Sequence, residues 1–410
     1  MKILFIHQNF PGQFKHLAPA LSAAGHEVYA LTLRGTTTRV WKGVVVTPYS
    51  LGRTNGKGTH PLASDFESKV IRGEACMEAA LQLKAKGFYP AVIVAHPGWG
   101  ESLYLRLVWP EASIKIYCEY YYHESGFDVG FDPEFSENSE HYSARVITKN
   151  ANVLLAAEQA TAAISPTAWQ AGTFPPHIRE KISVIHDGID TESLVPNSEV
   201  RITIPKVMQL SQSDEVITFV SRTLEPYRGF HIFLRSAIKI LREKPESVIL
   251  IVGDEKGGYG AAPPQGSTWK QVFWNEVRPR LEKEEAERVK FLGPLPYEQY
   301  LAVLQVSSVH VYLTYPFVLS WSLMEAMSLG CTIVASDTEP VREVIEHEKS
   351  GLLVDFFDAD ALADAVVSIL SDKTQARALG LNARSKIAEQ YDLRSVALPK
   401  QIEWVVGPPI

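Results

Sequence analysis

The sequence predicts an α/β protein with two doubly wound, Rossmann-like domains. Two observations carry this. Short β-branched apolar runs alternate with helix-length segments along most of the 410 residues, as expected for parallel strands covered on both faces. The alternation lapses between Asp190 and Asp214, where Pro196, Asn197, Pro205 and several serines follow no period. That lapse reads as an interdomain connection.

The elements follow in order. An apolar strand, Lys2 to Ile6, runs into a polar loop, His7 to Gln13, with Pro11-Gly12 at its turn. A helical pattern from Phe14 through Leu17, Ala20, Leu21 and Ala24 stops at Gly25, and a strand follows from Glu27 to Leu31. Strand, glycine loop, helix and strand open a βαβ unit. Ala91–Ala95 and Ser113–Cys118 continue as strands around a short helix, Glu101–Val108, and a long helix is expected over about Asn138–Ala157. Ala162–Ser165 and Ile182–Ile185 are the last strands of this half. In the second half the strands are Val216–Val220, Val248–Val252, Val289–Leu292, Val309–Leu313, Thr332–Ala335 and Leu352–Val354. Helices lie between them at Phe230–Leu241, Trp269–Glu285, Tyr297–Gln305 and Trp321–Leu329, and after them at Ala359–Leu370 and Gln375–Tyr391. The expected domains are therefore 1–190, a linker over 191–214, a second domain over 215–392, and a C-terminal helix over 393–410. The Gly/Pro-rich insert Asp254–Ser267 reads either as a surface loop or as a lid.

Composition sets the broad class. Apolar residues make up 46% and charged residues 21%, with 40 Lys+Arg against 47 Asp+Glu and a net charge of −7. These values exclude a disordered or collagenous chain and give no support to nucleic-acid binding through global charge. Three widely spaced cysteines, Cys76, Cys118 and Cys331, fit a reducing compartment and form no metal-ligand spacing. The opening apolar run is too short for a signal sequence, and no stretch reaches the roughly 20 apolar residues of a membrane helix. A cytoplasmic protein with at most peripheral membrane contact is expected, with homo-oligomerisation left open.

Several segments together resemble the retaining glycosyltransferases of family 4, which have the GT-B fold. They are His7-Gln8-Asn9-Phe10-Pro11-Gly12-Gln13-Phe14, Gly25-His26-Glu27-Val28, Ile185-His186-Asp187-Gly188-Ile189-Asp190, Ser221-Arg222 through Arg228-Gly229, Phe317 through Gly330, and Glu343 through Leu352. The resemblance implies two facing domains, the first on the acceptor side and the second binding a nucleoside diphosphate sugar, with the final helix crossing back to the first domain. It implies transfer of a hexosyl unit to a hydroxyl acceptor (glycan, metabolite, lipid or protein) without a metal, and no cofactor beyond a co-substrate of UDP or GDP type.

The resemblance also assigns residues. Arg222 and Arg228 would neutralise the diphosphate as charge develops on it, Arg228 standing where the family has Lys. Glu325 would accept hydrogen bonds from the ribose, and Ser320 and Trp321 would hold phosphate through backbone groups at a helix start. Lys290 and Phe291 mark the strand expected to meet the base. Gly12 belongs to the loop that approaches the donor. Glu119 stands near the family's sugar-contacting histidine, and His96 opens a helix after a buried strand; both are candidate catalytic residues. A structural ion pair of Glu119 with Arg145 is the plainer alternative. The sequence departs from the family at Phe317, where the first glutamate of a pair is usual. Glu119 could compensate for that loss. The tyrosines at 117, 120, 121 and 122 divide between core packing and sugar stacking. An epimerase or phosphorylase of the same fold, or a non-catalytic sugar-nucleotide-binding or scaffolding protein, are the alternatives. A dehydrogenase is disfavoured, because the first loop lacks the G-x-G-x-x-G that a dinucleotide site requires.

Overall fold

The computed structural model describes residues 1–136, 140–204 and 208–407. The chain divides into two units. The first comprises Met1–Glu124, Asn138–Gly188 and Leu393–Ile410; the second comprises Ser125–Glu137 and Ile189–Asp392.

The first unit is built on strands β1 (Lys2–Ile6), β2 (Glu27–Thr32), β3 (Arg39–Trp41), β4 (Val44–Pro48), β5 (Val92–Ala95), β6 (Ser113–Tyr117), β7 (Ala162–Ser165) and β8 (Ile182–Val184). Their order is β3-β4-β2-β1-β5-β6-β7-β8, parallel except for the β3–β4 hairpin. Ile3 pairs with Val28 on one side and Val92 on the other. The order therefore reverses between β1 and β5, and a doubly wound sheet opens a crevice at such a point, beyond the strands' carboxyl ends.

The second unit carries β9 (Ile202–Ile204), β10 (Met208–Leu210), β11 (Val216–Thr223), β12 (Val248–Asp254), β13 (Val289–Gly293), β14 (Val309–Tyr312), β15 (Ile333–Ser336) and β16 (Leu352–Val354). Its main sheet is parallel, in the order β13-β12-β11-β14-β15-β16, and reverses between β11 and β14. Apolar runs such as Val216–Val220 and Val248–Val252 are buried throughout, as central parallel strands require.

Several sequence expectations are corrected. A helix over Ser64–Ala85 and the β3–β4 hairpin were not anticipated. The helix buries Ile71 and Leu83, but the rest of its buried face is Lys69, Gly73, Ala75, Cys76, Ala79 and Ala80, so large apolar residues are too sparse to reveal a period. The single long helix expected from Asn138 is two, Glu140–Lys149 and Ala151–Gln159, broken at Asn150, whose amide exchanges hydrogen bonds with the Tyr122 backbone. Asn138 and Ser139 lie outside the described residues. Pro279 splits the helix expected over Trp269–Glu285 into Trp269–Val277, a short 3-10 turn and Lys283–Glu287. The 191–214 stretch, expected as a linker, contains the antiparallel pair β9–β10 and groups with the second unit; Pro205 lies outside the described residues.

Ser125–Glu137 departs most from the expected boundaries. It follows the first unit in sequence but groups with the second. Asp132 accepts the Tyr315 hydroxyl at 2.7 Å and lies 3.1 Å from His231, and Asp128 accepts the Tyr227 hydroxyl at 3.0 Å. Glu134 forms a bidentate pair with Arg235, both bonds at 2.8 Å. Phe131 and Phe135 pack on Tyr315 and His231.

The C-terminal helix Leu398–Val406 joins the first unit's core. Its C-terminal carbonyls need partners, and the buried Lys115 ammonium donates to the carbonyls of Trp404 (2.5 Å) and Gly407 (3.2 Å). Residues 408–410 of the expected crossover helix lie outside the described residues.

Three buried histidines make stability depend on acid. Burial pushes His7, His186 and His310 each down to about 4 from the ordinary 6.5. Between those values the unfolded chain binds protons that the folded chain refuses. Their contribution is therefore fully present above about pH 6.5 and is lost as pH falls towards 4. For His310, which is fully buried in β14, the loss is on the order of 3 kcal/mol. Denaturant unfolding from pH 7 to 4.5 is expected to show this decline, with a shallower slope in His310→Gln. An unchanged slope in that variant would contradict the assignment.

Candidate functional site

In the second unit Arg222, Arg228 and Ser320 gather where the strand order reverses, whereas Lys290 and Phe291 lie in the edge strand β13. Arg222 is exposed near the carboxyl end of β11, and among the described residues its guanidinium makes no hydrogen bond or ion pair. Its visible partner is the Tyr259 ring, 5.4 Å from the guanidinium carbon. Arg228 ends the short turn Pro226–Arg228 and reaches across to the segment after β14. Its Nη1 donates to Thr314 Oγ1 at 2.8 Å and to the Val318 carbonyl at 3.1 Å.

The Tyr312 hydroxyl lies 3.5 Å from Arg228 Nη1 and accepts the Ser320 amide at 3.0 Å. This places Arg228 beside the start of the helix Trp321–Ser328, which Ser320 caps by accepting the Ser322 N–H at 3.2 Å. A guanidinium and a helix N-terminus meeting at a strand end form an anion-favouring arrangement. Glu325 lies on the same helix and is buried. Its two oxygens accept the hydroxyls of Tyr297 and Tyr300, each at 2.8 Å. The two tyrosines fix the carboxylate, and the negative neighbour joins burial in holding both phenols protonated.

Phe317 is 2% exposed. It packs edge-on against Tyr227 and Tyr259, with ring centroids 5.5 and 4.9 Å away, and lies 5.8 Å from the Arg228 guanidinium. Lys290 and Phe291 lie inside β13, paired with Leu250 and Ile251; the strand ends at Gly293. The Phe291 ring faces Trp274 and Phe230. Sequence reading passed over Glu225, which is buried between the two arginines in sequence. Burial raises its carboxyl above the usual range despite hydrogen bonds from Thr223 and the Tyr259 amide.

The first unit gathers a second group at its own reversal point, from the segments after β1, β5 and β6. His7 Nδ1 accepts the Asn9 amide at 2.9 Å, which leaves the proton on Nε2, facing Gln13 Oε1 at 2.8 Å. The Gln13 amide then donates to Glu119 Oε1 at 3.0 Å. His96 Nδ1 accepts the Gly98 amide at 3.2 Å, so its Nε2–H faces Glu119 Oε2 at 3.6 Å. Gly12 has φ +48°, and a Cβ there would overlap the His7 ring. Glycine is thus required for the loop to lie on His7.

Burial opposes charge on Glu119, but the facing His96, then His7 and the Gln13 amide, outweigh it and hold the carboxyl below its ordinary range. His96 is buried between Trp99 and Tyr117, with ring centroids 4.4 and 5.4 Å away. Among the described residues no ion pair joins Glu119 to Arg145; Glu119 meets Gln13 and His96 instead, and His7 and Gln13 are residues the sequence gave no sign of here. Among the tyrosines, Tyr117 and Tyr120 are core residues, with the Tyr117 hydroxyl donating to Asp187 at 3.0 Å.

Asp132, Glu134 and His231 bring potential metal-ligating atoms together in the second unit. Both Glu134 oxygens already receive the Arg235 guanidinium, and Asp132 receives Tyr315 and the Glu134 amide. The donor set therefore reads as an ion-pair network.

Two reversal-point sheets with these strand orders define the GT-B class, and solved structures agree. The fold matches sucrose-phosphate synthase from Thermosynechococcus elongatus with TM-score 0.71, at 19% identity and 98% coverage of both chains. It also matches Anabaena HepE, solved with UDP and glucose, with TM-score 0.66, at 17% identity and full coverage of both. Residues 24–194 match the family described as Glycosyl transferase family 4 group, and residues 200–386 match Glycosyl transferases group 1. Each half of the chain thus matches a glycosyltransferase family model, on a fold of GT-B class.

Among curated relatives, D-inositol 3-phosphate glycosyltransferase of Corynebacterium urealyticum is 30% identical over 49% of this chain and 46% of its own length. The Nocardia farcinica protein of the same name is 26% identical over 50% and 43%. The chain spans about half the length of the curated relatives it matches. Among the described residues, no helix is long and apolar enough to cross a membrane.

Proposed function

We propose that the protein is a retaining, metal-independent hexosyltransferase that moves a sugar from a nucleoside diphosphate donor to a hydroxyl acceptor. The observation that carries this reading is the unpaired Arg222 with Arg228 and the Ser320 helix start, gathered where β11 and β14 diverge. A diphosphate leaving group gains charge as the glycosidic bond breaks, and fixed cationic and backbone donors stabilise that charge without a metal. Glu325 would take the ribose hydroxyls. HepE, a structural neighbour, was solved with UDP-glucose, which supports a uridine donor. In the first unit, Glu119 offers an ionised acceptor for sugar or acceptor hydroxyls, with Gln13 and His96 positioning it.

The test is to incubate the protein with UDP-, GDP- and ADP-hexoses, with and without EDTA, and to measure nucleoside diphosphate release and the anomeric configuration of any product. Release that survives EDTA with retained configuration supports the reading, and its absence for every donor removes it. Glu119→Gln keeps the shape but loses the charge, and turnover is expected to fall roughly 10²-fold with unchanged folding. Undiminished turnover would exclude a catalytic Glu119.

Phe317 favours one second reading, a sugar-nucleotide-binding protein without transfer. The side chain at this position is apolar and buried, so it cannot bond sugar hydroxyls. Tight donor binding with neither transfer nor hydrolysis would establish that alternative.

A further inference from the structure

The Gly/Pro-rich insert after β12 is not a free surface loop. The buried Glu225 carboxylate accepts the Tyr259 backbone N–H and the Thr223 hydroxyl, the latter at 2.7 Å. The glycines on either side of Tyr259 show how closely the loop is seated. Gly258 has φ +130°, and a Cβ there would overlap Glu225; Gly260 has φ +72°, and a Cβ would overlap the Tyr227 ring. The insert is also held near its ends. Glu255 pairs with Lys270 at 2.7 Å, and the Trp269 indole donates to the Ala261 carbonyl at 3.2 Å. The one side chain presented inward between the glycines is Tyr259. Its ring lies 5.4 Å from the Arg222 guanidinium carbon and 4.9 Å from the Phe317 ring centroid.

We propose that Tyr259, fixed in place by Glu225, is a positioning residue for nucleoside diphosphate binding. Its ring covers one side of Arg222 and orders that otherwise unpaired side chain, leaving the N–H edge for phosphate. This rests on the reading that Arg222 binds the donor diphosphate. The physical gain has two sources: a cation–π contact, and ordering before binding of a long side chain that would otherwise lose its freedom on meeting the ligand. Because Glu225 holds the main-chain N–H, the ring alone is needed at position 259. The hydroxyl is dispensable.

The experiment measures dissociation constants of UDP, GDP and inorganic pyrophosphate by calorimetry on the full chain. The proteins are the wild type, Arg222→Ala, Tyr259→Ala, Tyr259→Phe, Glu225→Gln and the double variant Arg222→Ala/Tyr259→Ala. Tyr259→Ala is expected to weaken binding roughly fivefold to tenfold, Tyr259→Phe to restore most of it, and Glu225→Gln to fall between. A purely structural role would not produce the decisive result: Tyr259→Ala adds nothing once Arg222 is already alanine. If Arg222→Ala weakens binding while Tyr259→Ala does not, or if the two effects simply add, this inference fails and the donor-site reading stands. If Arg222→Ala leaves all three constants unchanged, or the wild type binds none of the probes, both fail. Tyr259 lies on a half-buried loop position, and unfolding midpoints of the variants confirm that each is folded.

Discussion

Arg228→Ala is expected to lower kcat/KM for the nucleotide-sugar donor roughly 10²- to 10³-fold, the range seen when a fixed donor to developing charge is removed. The side chain has two jobs. It carries positive charge towards the start of the Ser320–Ser328 segment, and its Nη1 ties the Pro226–Arg228 turn to Thr314 and Val318. Alanine removes both, so binding and turnover should fall together. Arg228→Lys separates them. A single ammonium keeps the charge but lacks the guanidinium's spread of donors, so it can serve either the phosphate or the Thr314–Val318 anchor. An intermediate loss, mostly in KM, is expected. Steady-state kinetics against donor concentration decides, and an Arg228→Ala enzyme with wild-type kcat/KM would remove Arg228 from the donor site.

Deleting residues 393–410 is expected to unfold the first unit or to lower its unfolding midpoint severely. Trp404 and Val405 are buried in the cluster that holds Ile3, Phe5 and Tyr117. Losing a buried Trp alone costs about 3–5 kcal/mol, and Trp404→Ala should show that much. The deletion adds a second penalty. Lys115 is 1% exposed, and burial already pushes its ammonium down from its ordinary value. The deletion also removes the Trp404 and Gly407 carbonyls that the Lys115 ammonium bonds in the folded unit. Lys115→Met in the full-length chain is expected to cost much less, because it removes the charge along with its partners and leaves only helix-end carbonyls unpaired, about 1–3 kcal/mol. Thermal unfolding followed by near-ultraviolet dichroism measures all three. A deletion variant that unfolds at the wild-type midpoint would show that the helix contributes no stability.

How legible the molecule was depends on the range of the interaction. The β-branched runs at Lys2–Ile6, Val216–Val220 and Val248–Val252 announce buried parallel strands because each strand's burial on both faces is written in its own residues. The placement of Gly12 at a turn, Arg222 at a strand end and Glu325 on a helix was legible because turn geometry and periodicity are local properties. The Ser64–Ala85 helix was not, since Ile71 and Leu83 stand twelve residues apart on a buried face otherwise made mostly of Gly, Ala and Cys. Nor was Ser125–Glu137. Its place in the second unit rests on Asp132 meeting His231 and Tyr315, residues about 100 and 180 positions away.

The sequence by itself determined the class of fold, its two doubly wound α/β domains, and the charged residues standing at strand ends and helices. These follow from periodicity, glycine and charge, which act over a few residues. Only the tertiary structure decided the partners: Gln13 and His96 on Glu119, two tyrosines on Glu325, and Glu225 holding Tyr259 beside Arg222. A buried carboxylate must find donors wherever the fold brings them, and chain distance carries no information about that choice.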